Sequence, residues 1–404
     1  MTKHTNTPEL RFPEFKDIWY IKQLEEIGTF KNGINKDKNS FGHGFPFINL
    51  NDVFNQDNIN IKNLGLIDSS EKEREEYNLT KGDTLFIRSS VKPSGVGLTK
   101  VIQNDLINTV YSGFLIRFRE RKKFLEDNFK SYIFSSTSAR KQIISLSSTS
   151  ANTNINQDSL KKVQIVIPPL IEQEKIGYFF SKLDQQIELE EKKLELLEQQ
   201  KRGYMQKIFS QEMRFKDENN NSYPDWEIKK LEEIAEFQNG KAHENFVSNT
   251  GKFILVNSKF ISTESKVKKY VDKQLTPLEI NDIAIVMSDV PNGKALAKCY
   301  LIEKENTYSL NQRIGRIFNI EGNSRFLYTQ INRNKQLLKY DSGVGQTNLK
   351  KSEIIGIKIY WPNKEEQNKI GAFFLKLDSI IEKQSTKLEL LKHRKKGLLQ
   401  KMFV

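Results

Sequence analysis

The chain has 404 residues, with 64 Lys and Arg against 51 Asp and Glu, a formal net charge of +13. Hydrophobic residues make up 37% and charged residues 28%, with a mean hydropathy of −0.60, and no run approaches the ~20 consecutive apolar residues of a membrane-spanning helix. A single cysteine, Cys299, excludes an intrachain disulfide framework and any multi-cysteine zinc or iron–sulfur site.

The length suggests two or three domains, each able to bury its own core. A pI near 9.3 points to a polyanionic partner, nucleic acid first among them. Residues 1–6 lack the apolar core of a signal peptide, so the cytoplasm is the expected compartment.

In chain order, residues 1–170 form a first variable domain. It opens on Trp19 and Leu24-Glu25-Glu26-Ile27, followed by Phe30, Asn32 and Gly33. A buried strand is expected at 45–48, followed by Asn51. The turn Gly82-Asp83 leads into a strand and then a polar loop ending in the glycine region of Gly95 and Gly97. Strands at 111–118 and 163–167 complete it. Two polar clusters stand out: Arg88, Ser89, Ser90, Lys92 and Ser94 form one, and the run 148–154, with Ser150, Asn152, Thr153 and Asn154, forms the other. Such side chains contact phosphates and read base edges, Arg favouring guanine and Asn or Gln favouring adenine.

Residues 171–213 carry apolar side chains in alternating steps of four and three: Leu183, Ile187, Leu194, Leu197, Tyr204 and Ile208, with Glu190 and Lys201 filling polar steps. This is a coiled-coil seam. Pro168-Pro169 stops the strand ahead of it.

Residues 214–363 form a second variable domain. It opens on Trp226 and Leu231-Glu232-Glu233-Ile234, then Phe237, Asn239 and Gly240. Strands are expected at 253–256, followed by Asn257 in alignment with Asn51, and at 313–317 and 357–360. The turn Asn281-Asp282 leads through a strand to Ser288, Asn292, Gly293 and Lys294. The run Gly345-Gln346-Thr347-Asn348 aligns with the second polar cluster of the first domain, and Gln312, Arg313 and Arg316 make a further basic patch. Residues 364–404 repeat the helical seam as Leu377, Ile381, Leu388, Leu391, Leu398 and Met402, with Gln384 and Lys395 in polar steps. Asn363 and Glu366 have the spacing of a capping box.

The chain is thus one unit written twice. Between 172–209 and 366–403, about 22 of 38 positions are identical, including Glu172-Gln173, Lys175-Ile176-Gly177 and Phe179-Phe180 against Glu366-Gln367, Lys369-Ile370-Gly371 and Phe373-Phe374. The fold class expected is α+β: two strand-rich domains separated by two long helices, with a pseudo-two-fold repeat. Paired in parallel, Lys201 would face Lys395. Paired antiparallel, Glu190 faces Lys395 and Lys201 faces Gln384, and the helices' net charges of −2 and +5 agree. An antiparallel intramolecular coiled coil is therefore expected, about 30 residues and roughly 45 Å long. Each variable domain carries +5.

No catalytic constellation is visible. His4, His43, His243 and His393 are scattered; His43 lies in a Gly-rich loop and His393 on an exposed helical position, and neither of these two has a metal-ligand neighbour at short spacing. Cys299, between Lys298 and Tyr300, reads as a buried inert thiol. There is no phosphate-cradling Gly-Lys-Ser/Thr motif. Pro168-Pro169 follows Ile167, so the Asn/Asp-Pro-Pro-aromatic motif of a DNA amino-methyltransferase is missing.

Together, the two Trp-x-x-x-x-Leu-Glu-Glu-Ile openings, the turn–strand–loop segments and the two Glu-Gln-x-Lys-Ile-Gly-x-Phe-Phe helices resemble the specificity subunits of type I restriction–modification systems, over essentially the whole chain. The resemblance implies two target-recognition domains, each reading half of a bipartite, asymmetric site on double-stranded DNA. It implies helices that set the spacer and dock two modification (methyltransferase) subunits, with restriction (endonuclease/translocase) subunits completing the complex. S-adenosylmethionine, ATP and Mg are then cofactors of those partners and this chain is non-catalytic. The opening loops at Gly33 and Gly240 differ in length and content, so no base contact carries over there. Two rivals fit the same features: a duplicated DNA-binding regulator without enzyme partners, and a coiled-coil scaffold.

Overall fold

The computed structural model describes residues 6–404 apart from 55–58, 60, 150, 291, 292 and 342. The chain divides into two compact units, residues 1–192 with 386–404, and residues 193–385.

In the first unit, strand Thr84–Ile87 is buried throughout. Its Leu85-Phe86-Ile87 is a continuous apolar run because both faces are covered. Phe86 lies among Phe30, Phe118 and Phe134, while Leu85 and Ile87 join Ile48, Tyr111 and Leu115 on the other side. The strand sits inside an antiparallel sheet ordered Gly28–Asn32, Leu115–Glu120, Thr84–Ile87, Thr99–Val101. A second sheet centres on Phe41–Ile48, antiparallel to Gly65–Ile67 and parallel to Val110–Tyr111. Tyr20–Gln23 pairs antiparallel with Gln164–Ile167, joining the start of the domain to its end.

The second unit repeats these three sheets in the same order. Its four-stranded sheet runs Glu236–Asn239, Ile314–Phe318, Ile283–Val286, Cys299–Leu301. Phe253–Val256 is antiparallel to Tyr270–Val271 and parallel to Tyr308–Leu310, and Glu227–Lys230 pairs with Lys358–Trp361. The internal repeat therefore extends from the two helical segments into the topology of the divergent domains. The asparagine equivalent to Asn257 is Asn49 and not Asn51: Ser112 N–H donates to Ile48 O just as Asn311 N–H donates to Val256 O, and Asn49 and Asn257 follow those two residues. Asn51 belongs to the short helix Leu50–Phe54 that follows.

The two long helices are Leu170–Phe209 and Lys364–Met402, 40 and 39 residues, so each is roughly 60 Å long and about ten residues longer than its seam suggests. Each unit holds a stretch of both, running antiparallel. In the first unit Lys387 meets Glu190, Lys392 meets Glu191 and Lys395 meets Asp184. In the second, Lys201 meets Asp378 at 2.5 Å, and Tyr204 and Phe209 reach Phe373 and Phe374. The orientation is the expected one, but the register is not. Lys395 meets Asp184 instead of Glu190, and Lys201 meets Asp378 instead of Gln384, a displacement by the same number of residues at both. Of the seam residues, Leu183, Ile187, Ile208, Leu388 and Met402 are buried, as is Gln384. Leu194, Leu197, Ile381, Leu391 and Leu398 are half-buried, and Leu377 packs against the second unit's core.

The shared Glu-Gln-x-Lys-Ile-Gly-x-Phe-Phe segment anchors each domain to its helix. Glu172 is fully buried. It accepts from Arg11 Nε and Nη2 at 2.6 and 2.7 Å and from Trp19 Nε1 at 3.2 Å. Glu366 does the same with Arg214 Nε and Nη2 at 3.3 and 2.8 Å and Trp226 Nε1 at 2.8 Å. Its carboxylate is thereby taken from the expected capping box, of which only Asn363 Oδ1 accepting from Glu366 N–H remains. Gln173 and Gln367 donate to the carbonyls of Pro168 and Pro362 and accept the backbone N–H of Glu126 and Asn323. At Gly177 and Gly371 a side chain would collide with Glu126 and Asn323, so glycine permits that close approach. Among the described residues no helix is long and apolar enough to cross a membrane.

Candidate nucleic-acid interface

In the first unit the polar clusters around 88–94 and 148–154, far apart in sequence, meet in one small sheet. Strand Thr84–Ile87 leaves the core at Arg88, whose N–H donates to Phe114 O at 2.8 Å. The chain then pairs Ser90 with Thr153 and Ser89 with Asn154, and Thr153–Asn154 pairs in turn with Ser148–Thr149. Arg88 is half-buried, with Nη1 donating to Gly113 O at 3.3 Å. Lys92, Ser94 and Asn152 are exposed, Asn154 is half-buried and Thr153 is buried. Ser150 lies outside the described residues.

The second unit builds the same pairing from other residues: Ser288 with Asn348 and Asp289 with Thr347. Gln346 Nε2 donates to Ser288 Oγ at 2.6 Å. Asp289 organises the loop that follows, accepting from the N–H groups of Val290, Ala295 and Leu296 at 2.9, 2.7 and 3.1 Å. Lys294, Arg313, Gly345, Gln346 and Asn348 are exposed, whereas Ser288 and Thr347 are buried. Asn292 lies outside the described residues.

Arg316 is not presented with these loops. It is buried in the sheet, with Nε donating to Asp282 at 2.6 Å. The first unit has a like pair, Arg119 with Asp83 at 2.6 Å. The Asp-bearing turns that open strands Thr84–Ile87 and Ile283–Val286 are thus tied by arginine from the neighbouring strand. Burial pushes the Asp282 carboxyl up, against the pull of the Glu279 N–H and the Arg316 guanidinium.

Residues that sequence reasoning missed are apolar. A groove of about 520 Å³ opens beside the first unit's polar sheet, and Phe54, Val91 and Phe114 line it together with Ser90, Lys92 and Asn152. The available signal was the repeat itself, since Phe114 occupies the position of Arg313.

Other chemistry has little support in the geometry. His243 is buried, with Nδ1 2.7 Å from Lys241 O and Nε2 2.7 Å from Ser309 Oγ, so both ring nitrogens are occupied. His43 lies exposed on strand Phe41–Ile48, which is longer than the 45–48 expected and takes in the Gly-rich stretch. Cys299 is buried, and burial pushes its thiol up, away from the reactive thiolate. Among the described residues no group of three or more His, Cys, Asp or Glu side chains is placed to hold a metal ion.

Comparison with known proteins gives consistent matches. The family described as "Type I restriction modification DNA specificity domain" matches twice, over residues 16–199 and 223–393. The chain is 26% identical over 311 residues to the type I restriction enzyme MjaVIII specificity subunit of Methanocaldococcus jannaschii, covering 72% of each chain. Its fold resembles the type I restriction–modification S subunit from M. genitalium, with a TM-score of 0.61 at 19% identity and coverage of 98% and 99% of the two chains. It also resembles a chain from a study of assembly and conformational transition of the type I system, with a TM-score of 0.57 at 13% identity and coverage of 95% and 97%.

Proposed function

The chain belongs to the family of type I restriction–modification DNA specificity domains, and from that membership we propose that it is the non-catalytic DNA-reading subunit of a methyltransferase–endonuclease complex. Each half reads one part of a bipartite, asymmetric site. The observation that carries this reading is the repeated pairing of two polar runs: 89–90 with 153–154, and 288–289 with 347–348. The same scaffold presents different side chains in the two halves, as a reader of two unlike sequences requires. The even division of charge, +5 on each variable domain, supports backbone contact by both.

In this reading the paired helices set the spacer and dock two modification subunits, and restriction subunits join them. S-adenosylmethionine, ATP and Mg serve those partners, and the compartment is the cytoplasm. The buried, fully bonded state of Cys299 and His243 is consistent with a chain that leaves chemistry to others.

The test is expression of the chain with its modification subunit, followed by mapping of N6-methyladenine. A two-part motif is expected, and exchange of residues 1–170 for those of a relative should change one part and leave the other. Methylation that persists unchanged when this chain is deleted would overturn the reading.

A further inference from the structure

Building on the reading of the first unit as a DNA-reading domain, we propose that its apolar groove receives the C5-methyl group of a thymine. The second domain presents an arginine at the same place. The equivalence rests on the backbone. Arg88 N–H donates to Phe114 O at 2.8 Å, and Met287 N–H donates to Arg313 O at 3.1 Å, each at the same step of matching sheets. Position 114 of one half is therefore position 313 of the other.

The two positions carry opposite chemistry. Phe114 is 56% exposed, and with Phe54 at 41% and Val91 at 81% it lines the mouth of the groove of about 520 Å³. Exposed apolar side chains gathered at one place and rimmed by polar ones mark a recognition surface. Ser90, Lys92 and Asn152 line the groove with them, side chains suited to phosphates and base edges. An apolar lining cannot bond to the donor and acceptor edges of guanine, adenine or cytosine. The thymine methyl is the apolar group that a base presents in the major groove. Arg313, exposed in the second half, has the side chain that binds guanine O6 and N7.

The test uses the complete complex with its modification subunits and a duplex bearing its mapped methylation motif. Each thymine of the motif is replaced in turn by deoxyuridine, which removes only the methyl group. One replacement, in one half of the motif, should weaken binding about fourfold, the effect of one buried methyl group. Phe114→Ala should abolish that thymine–uracil difference and Phe114→Leu should restore part of it, while Arg313→Ala leaves it intact. The proposal is overturned if no replacement alters binding, or if the difference survives in Phe114→Ala. It is equally overturned if Phe114→Ala weakens thymine and uracil duplexes alike, which would mark Phe114 as a wedge between bases. A wild-type complex that binds no particular sequence would overturn the DNA-reading function, and this inference with it.

Discussion

Glu172 and Glu366 are the carboxylates on which each half depends. Both are fully buried, and both are held by an arginine and a tryptophan from the segment that begins their domain. Breaking one partner of a buried ion pair costs about 3–5 kcal/mol, because the other charge stays buried without compensation. Arg214→Ala leaves Glu366 buried without its guanidinium and is therefore expected to lower the thermal midpoint strongly, and scanning calorimetry would show whether the loss is that large. The two arginines near the second unit's small sheet separate in the same way. Arg316→Ala strands buried Asp282 and should destabilise the fold by a similar amount. Arg313→Ala, at an exposed position, should change stability by less than about 0.5 kcal/mol yet cost roughly 1–3 kcal/mol of binding to the methylated motif. Parallel melting and binding titrations check both. A midpoint unchanged in Arg316→Ala would mean the pair does not hold the sheet.

At the scale of elements, the long helices were legible from periodicity, and their orientation from the like charges that a parallel pair would oppose. Register was not. The sequence argument weighed only seam positions, Glu190 against Lys395, whereas the ion pairs form through flanking Asp184 and Asp378, each directly after a seam leucine. Flanking charges reach past the seam, so spacing along it cannot say which acid a lysine will find. Asp184 is also the acceptor for the Tyr132 hydroxyl at 2.8 Å. A charge exchange resolves the register. Lys395→Glu should cost about 0.5–1 kcal/mol; Asp184→Lys, which also removes the Tyr132 acceptor, should couple favourably with it, and Glu190→Lys should not. A double-mutant cycle in denaturant unfolding measures this, and favourable coupling only with Glu190→Lys would restore the seam register.

At the scale of the whole molecule, residues 386–404 belong to the first unit although they end the chain. Phe403 packs against Phe129 and Phe180, and Lys401 O accepts Leu10 N–H at 2.9 Å. Phe209 packs against Phe326 and Phe374 in the second unit, and Lys207 O accepts Met213 N–H at 3.0 Å, so the same contacts are made there locally. Truncation after Ser385 is expected to expose residues 6–170 to proteolysis while 214–363 stays protected. Limited digestion with mass mapping would show it, and equal protection of both would refute the assignment.

The amino-acid sequence by itself determined the duplication, the two helices, their antiparallel sense and the strand-rich domains, because repeats and hydrophobic period are local properties of a chain. It also placed the polar runs that the small sheets bring together. Only the tertiary structure decided which of those residues face outward. Arg316 and Thr347 turn inward, and Phe114 turns outward, because strand pairing and burial depend on partners tens of residues away in the chain. The most strongly repeated motif proved to be the anchor between domain and helix. The differences between the halves lie where side chains are free to vary, at the loops that the repeated scaffold holds in place.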